Sequence, residues 1–221
     1  MASVTLTLEV PREEAPASVR VARAAAALRR GEPVLVADDA DREGEADLVL
    51  SAELATVEQM NFLIWHGGGL VCVAMDPAWT ARLGLTPMVA HSTDPHETAF
   101  TVSVDAHGRF GVTTGISAHD RTVTARLLAY PGTRREDLRS PGHLFPLAAR
   151  QGGVLVRRGH TEASTDLMRL AGLAPVAIIV EVLDRQGRAV WGRLLASRAR
   201  RWAVPILSVE DVAQVRRGME R

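Results

Sequence analysis

The sequence predicts an α+β fold, in which helices cover a mixed β-sheet within a single domain. Short apolar runs typical of buried strands alternate irregularly with segments of helical periodicity and helix-capping signals. The chain has 221 residues, of which 47% are apolar and 24% charged, an ordinary composition for one large core. No internal repeat or linker rich in Pro, Gly or Ser divides it. We therefore expect one domain over residues 18–221, after a flexible segment at residues 1–17.

Helices are predicted where an apolar periodicity follows a capping side chain or precedes a glycine. The first begins at Ser18 and ends at Gly31. The second begins with the capping box 56–59 and ends at the glycine triplet 67–69, which we interpret as a helix stop and flexible connection. Further helices are expected at residues 79–83, after Ser117 with Asp120, at 161–172, at 191–202, and after Ser208 with Asp211.

Strands are predicted where short apolar or alternating runs are bounded by turn residues. The first, Val34–Ala37, leads into an acidic loop. The others are expected at residues 48–50, 70–74, 100–105, 154–156, 176–182 and 204–207. Pro141-Gly142-His143 is predicted to form a tight turn that presents the imidazole beside an apolar stretch.

The charge composition argues against nucleic acid and membrane partners. The 26 basic residues balance the 26 acidic ones, so no net field attracts a polyanion or an anionic membrane. The longest nearly uncharged run, residues 170–180, is much shorter than the ~20 apolar residues that span a bilayer. The single cysteine, Cys72, cannot form an internal disulfide and lies in an apolar run typical of a buried thiol. We expect a cytoplasmic protein that binds a small molecule.

One segment concentrates like charge. Residues 38–47 contain six carboxylates around a single basic residue, Arg42. Two carboxylates about 4 Å apart repel each other by roughly 4 kcal/mol near a protein surface, and a bound cation would remove that cost. Carboxylate-rich sites favour hard ions such as magnesium or manganese over zinc. The alternative interpretation is an acidic loop that faces water.

Three further segments carry residues suited to ligand binding. Thr113-Thr114-Gly115 precedes a helix start and fits either a phosphate cradle or merely a well-capped helix. Arg157 and His160 lie between a predicted strand and a helix, and they offer an anion contact and a metal ligand. Glu181 is the one carboxylate of an apolar strand, and it lies either at the exposed strand end or where chemistry requires it.

Lone histidines carry less information. His91 and His96 have no regular ligand spacing, and we expect both at the surface. His143 follows the Pro-Gly pair, and a histidine in such a position is more often structural than catalytic.

Taken together, the motifs resemble the 3,4-dihydroxy-2-butanone 4-phosphate synthase family of riboflavin biosynthesis. The likeness covers roughly residues 18–184, and it depends on segments 38–43, 56–60, 66–67, 100–104, 113–118, 141–147 and 152–172. The resemblance implies a lyase that uses Mg²⁺ or Mn²⁺ and converts ribulose 5-phosphate into the four-carbon phosphate and formate. It also implies a homodimer with active sites at the subunit interface.

The resemblance further implies a role for each matching residue. Glu43 and His160 would hold the metal ion, and His143 and Glu181 would be catalytic. The residues implied to bind substrate are Arg42, Glu43, Asp47, Thr114, Arg157, Thr161 and Glu181.

The residue that takes the first proton is predicted separately. Crowding by like charge raises the pKa of a carboxylate toward a useful range. Asp38 or Glu45 is therefore expected to be a catalytic base within the acidic loop.

The chain departs from the family pattern within this loop. Residues 42–47 read Arg-Glu-Gly-Glu-Ala-Asp, where the family usually has Arg-Glu-Asn-Glu-Gly-Asp. The position that can adopt a positive φ is thereby moved by two residues. Two alternatives stay open, a related enzyme for another phosphosugar and a binding protein without turnover. The presence of Glu43, His143, His160 and Glu181 favours an enzyme.

Overall fold

The computed structural model describes residues 15–38 and 42–220. Its helices are α1 (Ala17–Arg29), α2 (Val57–His66), α3 (Pro77–Arg82), α4 (Ala118–Ala129), α5 (His160–Leu170), α6 (Gly192–Trp202) and α7 (Val209–Met219). Its strands are β1 (Val34–Ala37), β2 (Ala46–Ser51), β3 (Cys72–Met75), β4 (Val104–Ala106), β5 (Leu138–Ala148), β6 (Val176–Glu181) and β7 (Ile206–Ser208). Within this part of the chain, no helix combines the length and the apolar character needed to cross a bilayer.

The strands form one sheet in the order β4-β5-β3-β6-β2-β1-β7. The pairs β3–β5 and β1–β7 are parallel, and the other neighbours are antiparallel. This mixed sheet confirms the predicted α+β class. The register places Asp47 of β2 opposite Glu181 of β6, and Cys72 of β3 opposite Ile179 of β6.

Helices cover both faces of the sheet. Along β1, Val34 and Val36 join one core, while Leu35 and Ala37 join the other. The first core is closed by α1, α5 and α7, and the second by α2, α4 and α6. All four residues of β1 are buried, which explains why this strand is a continuous apolar run rather than an alternating one.

The predicted helix caps are confirmed at three helices. Thr56 forms the capping box of α2, Ser117 accepts the N–H of Asp120 at α4, and Ser208 forms the capping box of α7. The prediction for the start of the first helix is wrong, because the N-cap residue is Pro16 rather than Ser18 and α1 already begins at Ala17. A flexible segment was predicted at residues 1–17, and residues 1–14 of it lie outside the described residues.

The strand predicted at residues 154–156 is wrong. Gly153–Leu155 form a 3₁₀ helix instead. The buried carboxylate of Asp166 on α5 accepts the N–H of Val154 at 3.0 Å, so a side-chain contact replaces the pairing that a strand would need.

The strand prediction for residues 100–105 is partly correct, and the turn prediction for residues 141–143 is wrong. The alternating run 100–105 pairs as a strand only from Val104 onward, because Phe100 and Thr101 make isolated bridges. Pro141-Gly142-His143 does not form a tight turn but lies within β5. A Cβ on Gly142 would overlap with the backbone of Val104, so this glycine permits close strand packing rather than chain reversal.

Candidate active site

Charged side chains converge in a pocket of about 440 Å³. Eight residues predicted from the sequence line it, namely Arg42, Glu43, Glu45, Asp47, Arg157, His160, Thr161 and Glu181. Its apolar wall includes Cys72 and Ile179 on the neighbouring strands β3 and β6. The acidic loop and the start of α5, which are distant in sequence, therefore form one site.

Asp47 and Glu181 lie at the sheet end of the pocket, directly opposite each other across the β2–β6 ladder. Asp47 Oδ1 and Glu181 Oε2 are buried, and neither has a hydrogen-bond partner among the residues that the structure describes. Burial is the main cause that raises the pKa of Asp47 to about 7; His160 opposes this shift and Glu181 adds to it. Buried carboxylate oxygens are normally paired, so these two atoms indicate that a cation or a polar ligand completes the site. Glu181 thus both ends its strand and faces the pocket.

A second group of side chains has the composition of a metal site. Potential ligand atoms of Asp38, Glu43 and His160 lie within 4.8 Å of one another. His160 is the first residue of α5, and its Nδ1 lies 3.6 Å from Glu43 Oε2. His160 Nε2 is buried and has no hydrogen-bond partner in the described part of the chain. Two carboxylates and an imidazole suit Mg²⁺ or Mn²⁺, so the residues present fit the metal that the sequence predicted.

The electrostatics of this group agree with that fit. Burial alone would lower the pKa of His160, but the charges of Asp47, Glu43 and Asp38 outweigh it and raise this pKa to about 9. Burial likewise opposes ionisation of Glu43, yet its contacts with His160 and Arg42 lower the pKa of the carboxyl. The site therefore concentrates negative charge that a cation would neutralise.

Arg42 and Glu45 complete the acidic loop. Arg42 donates to Asp38 Oδ2 at 2.7 Å and contacts Glu43 Oε1 at 2.8 Å. Burial and then the nearby charges of Glu43 and Glu181 raise the pKa of Glu45. The moved glycine adopts the left-handed conformation, since Gly44 has a φ of 64°. Asp39 and Asp41 lie outside the described residues.

Arg157 connects α5 to a loop that the sequence did not assign to the site. Its guanidinium donates to the carbonyl of His96 at 3.2 and 2.8 Å, to Thr98 Oγ1 at 3.3 Å and to Glu162 Oε2 at 2.6 Å. Asp94, His96 and Thr98 consequently line the pocket.

This loop was missed because its contribution depends on tertiary contacts. His96 is exposed, as the sequence predicted, and its Nδ1 also lies 3.8 Å from Glu43 Oε1. No ligand spacing marks these residues in the sequence. Their position directly before the family-like segment 100–104 was the one available signal.

The glycine triplet also has a role that the sequence interpretation missed. Gly67 and Gly69 pack against β6, and a Cβ on either would overlap with Val180 or Glu181, respectively. Gly69 also donates its N–H to the carbonyl of Glu181 at 3.2 Å. The segment is therefore a close-packed support for Glu181 rather than only a flexible connection.

His143 does not line this pocket, unlike the predicted catalytic residues Glu45 and Glu181. It lies on β5, two residues before Phe145, which pairs with Cys72 of β3. Two strand spacings, about 9–10 Å, therefore separate it from the position of Glu181 along the sheet. Its Nδ1 contacts Asp105 Oδ2 at 2.8 Å.

Thr114 also lies outside the residues that line the pocket. On either side of it, Thr113 and Gly115 donate their N–H groups to Asp120 Oδ2 at 3.3 and 3.0 Å. A carboxylate of the chain thus occupies these two donors, as in a well-capped helix, and the substrate role of Thr114 stays a prediction.

Comparisons with known proteins agree with this geometry. Residues 22–215 match the family model of 3,4-dihydroxy-2-butanone 4-phosphate synthase. The chain is 48% identical over 197 residues to the 3,4-dihydroxy-2-butanone 4-phosphate synthase of Chromobacterium violaceum, covering 89% of this chain and 93% of that protein. It is 47% identical over 198 residues to the enzyme of Pyricularia oryzae, covering 84% of each chain.

A solved structure is similar over nearly its full length. It is a 3,4-dihydroxy-2-butanone 4-phosphate synthase in complex with two magnesium ions, with 44% sequence identity and a TM-score of 0.84. The similarity covers 89% of this chain and 96% of that one. The chain therefore belongs to the 3,4-dihydroxy-2-butanone 4-phosphate synthase family and is a lyase of riboflavin biosynthesis.

Proposed function

We propose that this lyase converts ribulose 5-phosphate into 3,4-dihydroxy-2-butanone 4-phosphate and formate, with a magnesium or manganese ion. The observation that carries the proposal is the grouping of Asp38, Glu43 and His160 within 4.8 Å. It lies beside the buried oxygens of Asp47 and Glu181 that have no hydrogen-bond partner in the described part of the chain. Glu43 and His160 would hold the ion, and Asp38 is placed to join them.

During the reaction, adjacent oxygens of the substrate develop negative charge, and protons must be transferred to and from the substrate. The substrate loses a proton beside its ketone, passes through an enediol, sheds water, shifts its carbon skeleton and releases formate. A bound divalent ion would supply Lewis-acid stabilisation of the negative charge. Proton transfer by positioned side chains contributes about 10²- to 10⁴-fold for each group.

Glu45 is the better of the two predicted acceptors of the first proton. Its pKa is raised by burial and by neighbouring carboxylates, which makes it a stronger base than an ordinary glutamate. Asp38 instead accepts a hydrogen bond from Arg42 and lies among the potential metal ligands. Glu181 faces the same pocket and is assigned to later proton transfers together with His143.

The phosphate group would bind at the start of α5. The N-cap residue Gly159 provides no side-chain cap, so the N–H groups of the first helical turn remain available for an anion. Thr161 and Arg157 line the pocket, and Arg42 of the acidic loop lines it as well. Phosphate binding by Arg157 would compete with its present contact to Thr98.

We expect a homodimer in which His143 and Thr114 of each chain complete the pocket of the partner chain. The His143 side chain is 41% exposed, which leaves it accessible to a second copy. Mixing Glu43→Ala and His143→Ala proteins tests this arrangement. A heterodimer would regain one intact site out of two, whereas sites built within one chain would regain none.

The principal test is formate release from ribulose 5-phosphate by the purified protein, with and without Mg²⁺. Glu43→Ala and His143→Ala should each abolish formate release. Glu32→Ala removes an exposed carboxylate in the loop after α1 and should leave formate release unchanged. Formate that depends on the metal and on both side chains supports the lyase. Substrate binding without formate would point to another phosphosugar or to a binding protein.

A further inference from the structure

Asp105 holds both the backbone and the ring of His143. It lies on β4 and is only 4% exposed. Its Oδ1 accepts the backbone N–H of His143 at 2.9 Å, and its Oδ2 lies 2.8 Å from His143 Nδ1. One carboxylate thus contacts two points of the same residue, which restricts both the position of the strand and the rotation of the imidazole.

The carboxylate itself is enclosed. A Cβ on Gly115 would overlap with both carboxylate oxygens of Asp105, so the loop before α4 closes directly over them. Gly142 packs on the backbone of Val104 and Asp105 and donates its N–H to Ser103 Oγ at 3.1 Å. Gly115 therefore leaves a space that the carboxylate fills, while Gly142 lets β5 pack closely on the backbone of β4.

We propose that Asp105 is a positioning residue that sets the tautomer of His143. With Oδ2 as acceptor, the ring carries its proton on Nδ1, and the lone pair of Nε2 is left to accept a proton. When Nε2 takes that proton, the adjacent carboxylate stabilises the imidazolium. The inference depends on the proposed catalytic role of His143, and it adds a residue that neither the sequence motifs nor the pocket lining indicated.

The substitution Asp105→Asn gives a directional prediction. The backbone N–H of His143 is an obligatory donor, so the single amide oxygen must face it. The amide NH₂ then faces the ring, where it can only donate, and Nδ1 must become the acceptor. The ring proton is thereby moved to Nε2, and the ring loses its capacity as a base without a change in the shape of the site.

The test is ¹⁵N NMR of the histidine rings in the full-length protein, with the His143 signals assigned by their loss in His143→Gln. The intact protein should show the Nδ1–H tautomer, and Asp105→Asn the Nε2–H tautomer. In formate assays Asp105→Asn should lower kcat by about 10²- to 10⁴-fold. Its KM should change by less than about threefold, because Asp105 does not line the pocket.

Ser103→Ala is the matched control. It removes the neighbouring contact to Gly142 in the same strand pair but leaves the carboxylate in place. It should preserve the tautomer and most of kcat. An Nε2–H tautomer in the intact protein, or an unchanged tautomer in Asp105→Asn, would overturn the proposal. Neither NMR measurement needs turnover, so an inactive intact protein would refute the proposed function while the tautomer still decides the role of Asp105.

Discussion

Asp47 and Glu181 are paired across antiparallel strands, with one carboxylate oxygen of each buried and without a hydrogen-bond donor among the residues that the structure describes. Side chains directly opposite in such a ladder have Cβ atoms about 4.5–5.5 Å apart, and like charges there are destabilising. The arrangement therefore costs stability in the metal-free chain. It is consistent with a site prepared for a cationic or polar ligand.

Glu181→Gln should raise the stability of the protein and lower its activity. The amide removes one of the two like charges and offers an N–H donor to Asp47 Oδ1. We expect the free energy of unfolding of the metal-free protein to rise by about 1 kcal/mol, measured by urea denaturation. Formate release should fall at least about 10²-fold. Lower stability together with lost activity would show that Glu181 is held by contacts of another kind.

Gly69→Ala should disturb Glu181 without touching the metal group. The added Cβ would lie 2.7 Å from Glu181 Cβ, so the carboxylate must shift. We expect the displaced carboxylate to lower kcat about tenfold, which corresponds to a loss of about 1.4 kcal/mol of transition-state stabilisation. Gly218→Ala in α7 is the control, since its Cβ would meet nothing within 4 Å. That control should keep full activity and gain a few tenths to about 1 kcal/mol of stability from helix propensity.

Metal binding should stabilise the folded protein through Glu43 and His160. At a free Mg²⁺ concentration of about 100 times Kd, the gain is about 2.7 kcal/mol, and chelation should reverse it. Differential scanning calorimetry with Mg²⁺ or EDTA measures this shift. Glu43→Ala and His160→Ala should abolish it.

Asp38→Asn separates the two roles open to Asp38. If Asp38 is a ligand, the Mg²⁺-dependent shift in Tm should shrink markedly together with activity. If it acts only as a base, the shift in Tm should remain while activity is lost. The structure favours the first result, because a carboxylate oxygen of Asp38 lies within 4.8 Å of the ligand atoms of Glu43 and His160.

Asp120 should make stability depend on pH in acid. It is 1% exposed. Burial opposes its ionisation, but hydrogen bonds from Gly115 and Thr113 lower its pKa to about 2. Because the folded pKa lies below the unfolded value of about 3.9, the stabilisation is complete above about pH 5 and is lost as pH falls toward 2.

Asp120→Asn tests this pH dependence. The amide keeps an acceptor for Thr113 and Gly115 but removes the charge, so the variant should be roughly 1 kcal/mol less stable at pH 6. The difference from the intact protein should vanish toward pH 2. A difference that stays constant between pH 5 and pH 2.5 would contradict the prediction. Glu136→Gln, at an exposed carboxylate, should show no such trend.

Local signals explain which predictions succeeded. The caps Thr56, Ser117 and Ser208 were predictable because each cap hydrogen bond spans three residues. The acidic segment was recognisable because six carboxylates in ten residues are unusual without a cation or open water. The strand prediction for residues 154–156 failed because a contact with Asp166 on α5, twelve residues away from Val154, decides their conformation.

The resemblance to the family implied seven of the residues that line the pocket. The sequence's own patterns determined the mixed α/β class, the main helices and the buried strands. These features depend on periodicity, capping and residue chemistry, which are properties of neighbouring positions. Only the tertiary structure decided how closely Glu43 approaches His160, that His96 joins them, and that His143 lies apart from them, held by Asp105. Those contacts follow from the order of strands in the sheet, and this order depends on long-range packing that local propensity does not encode.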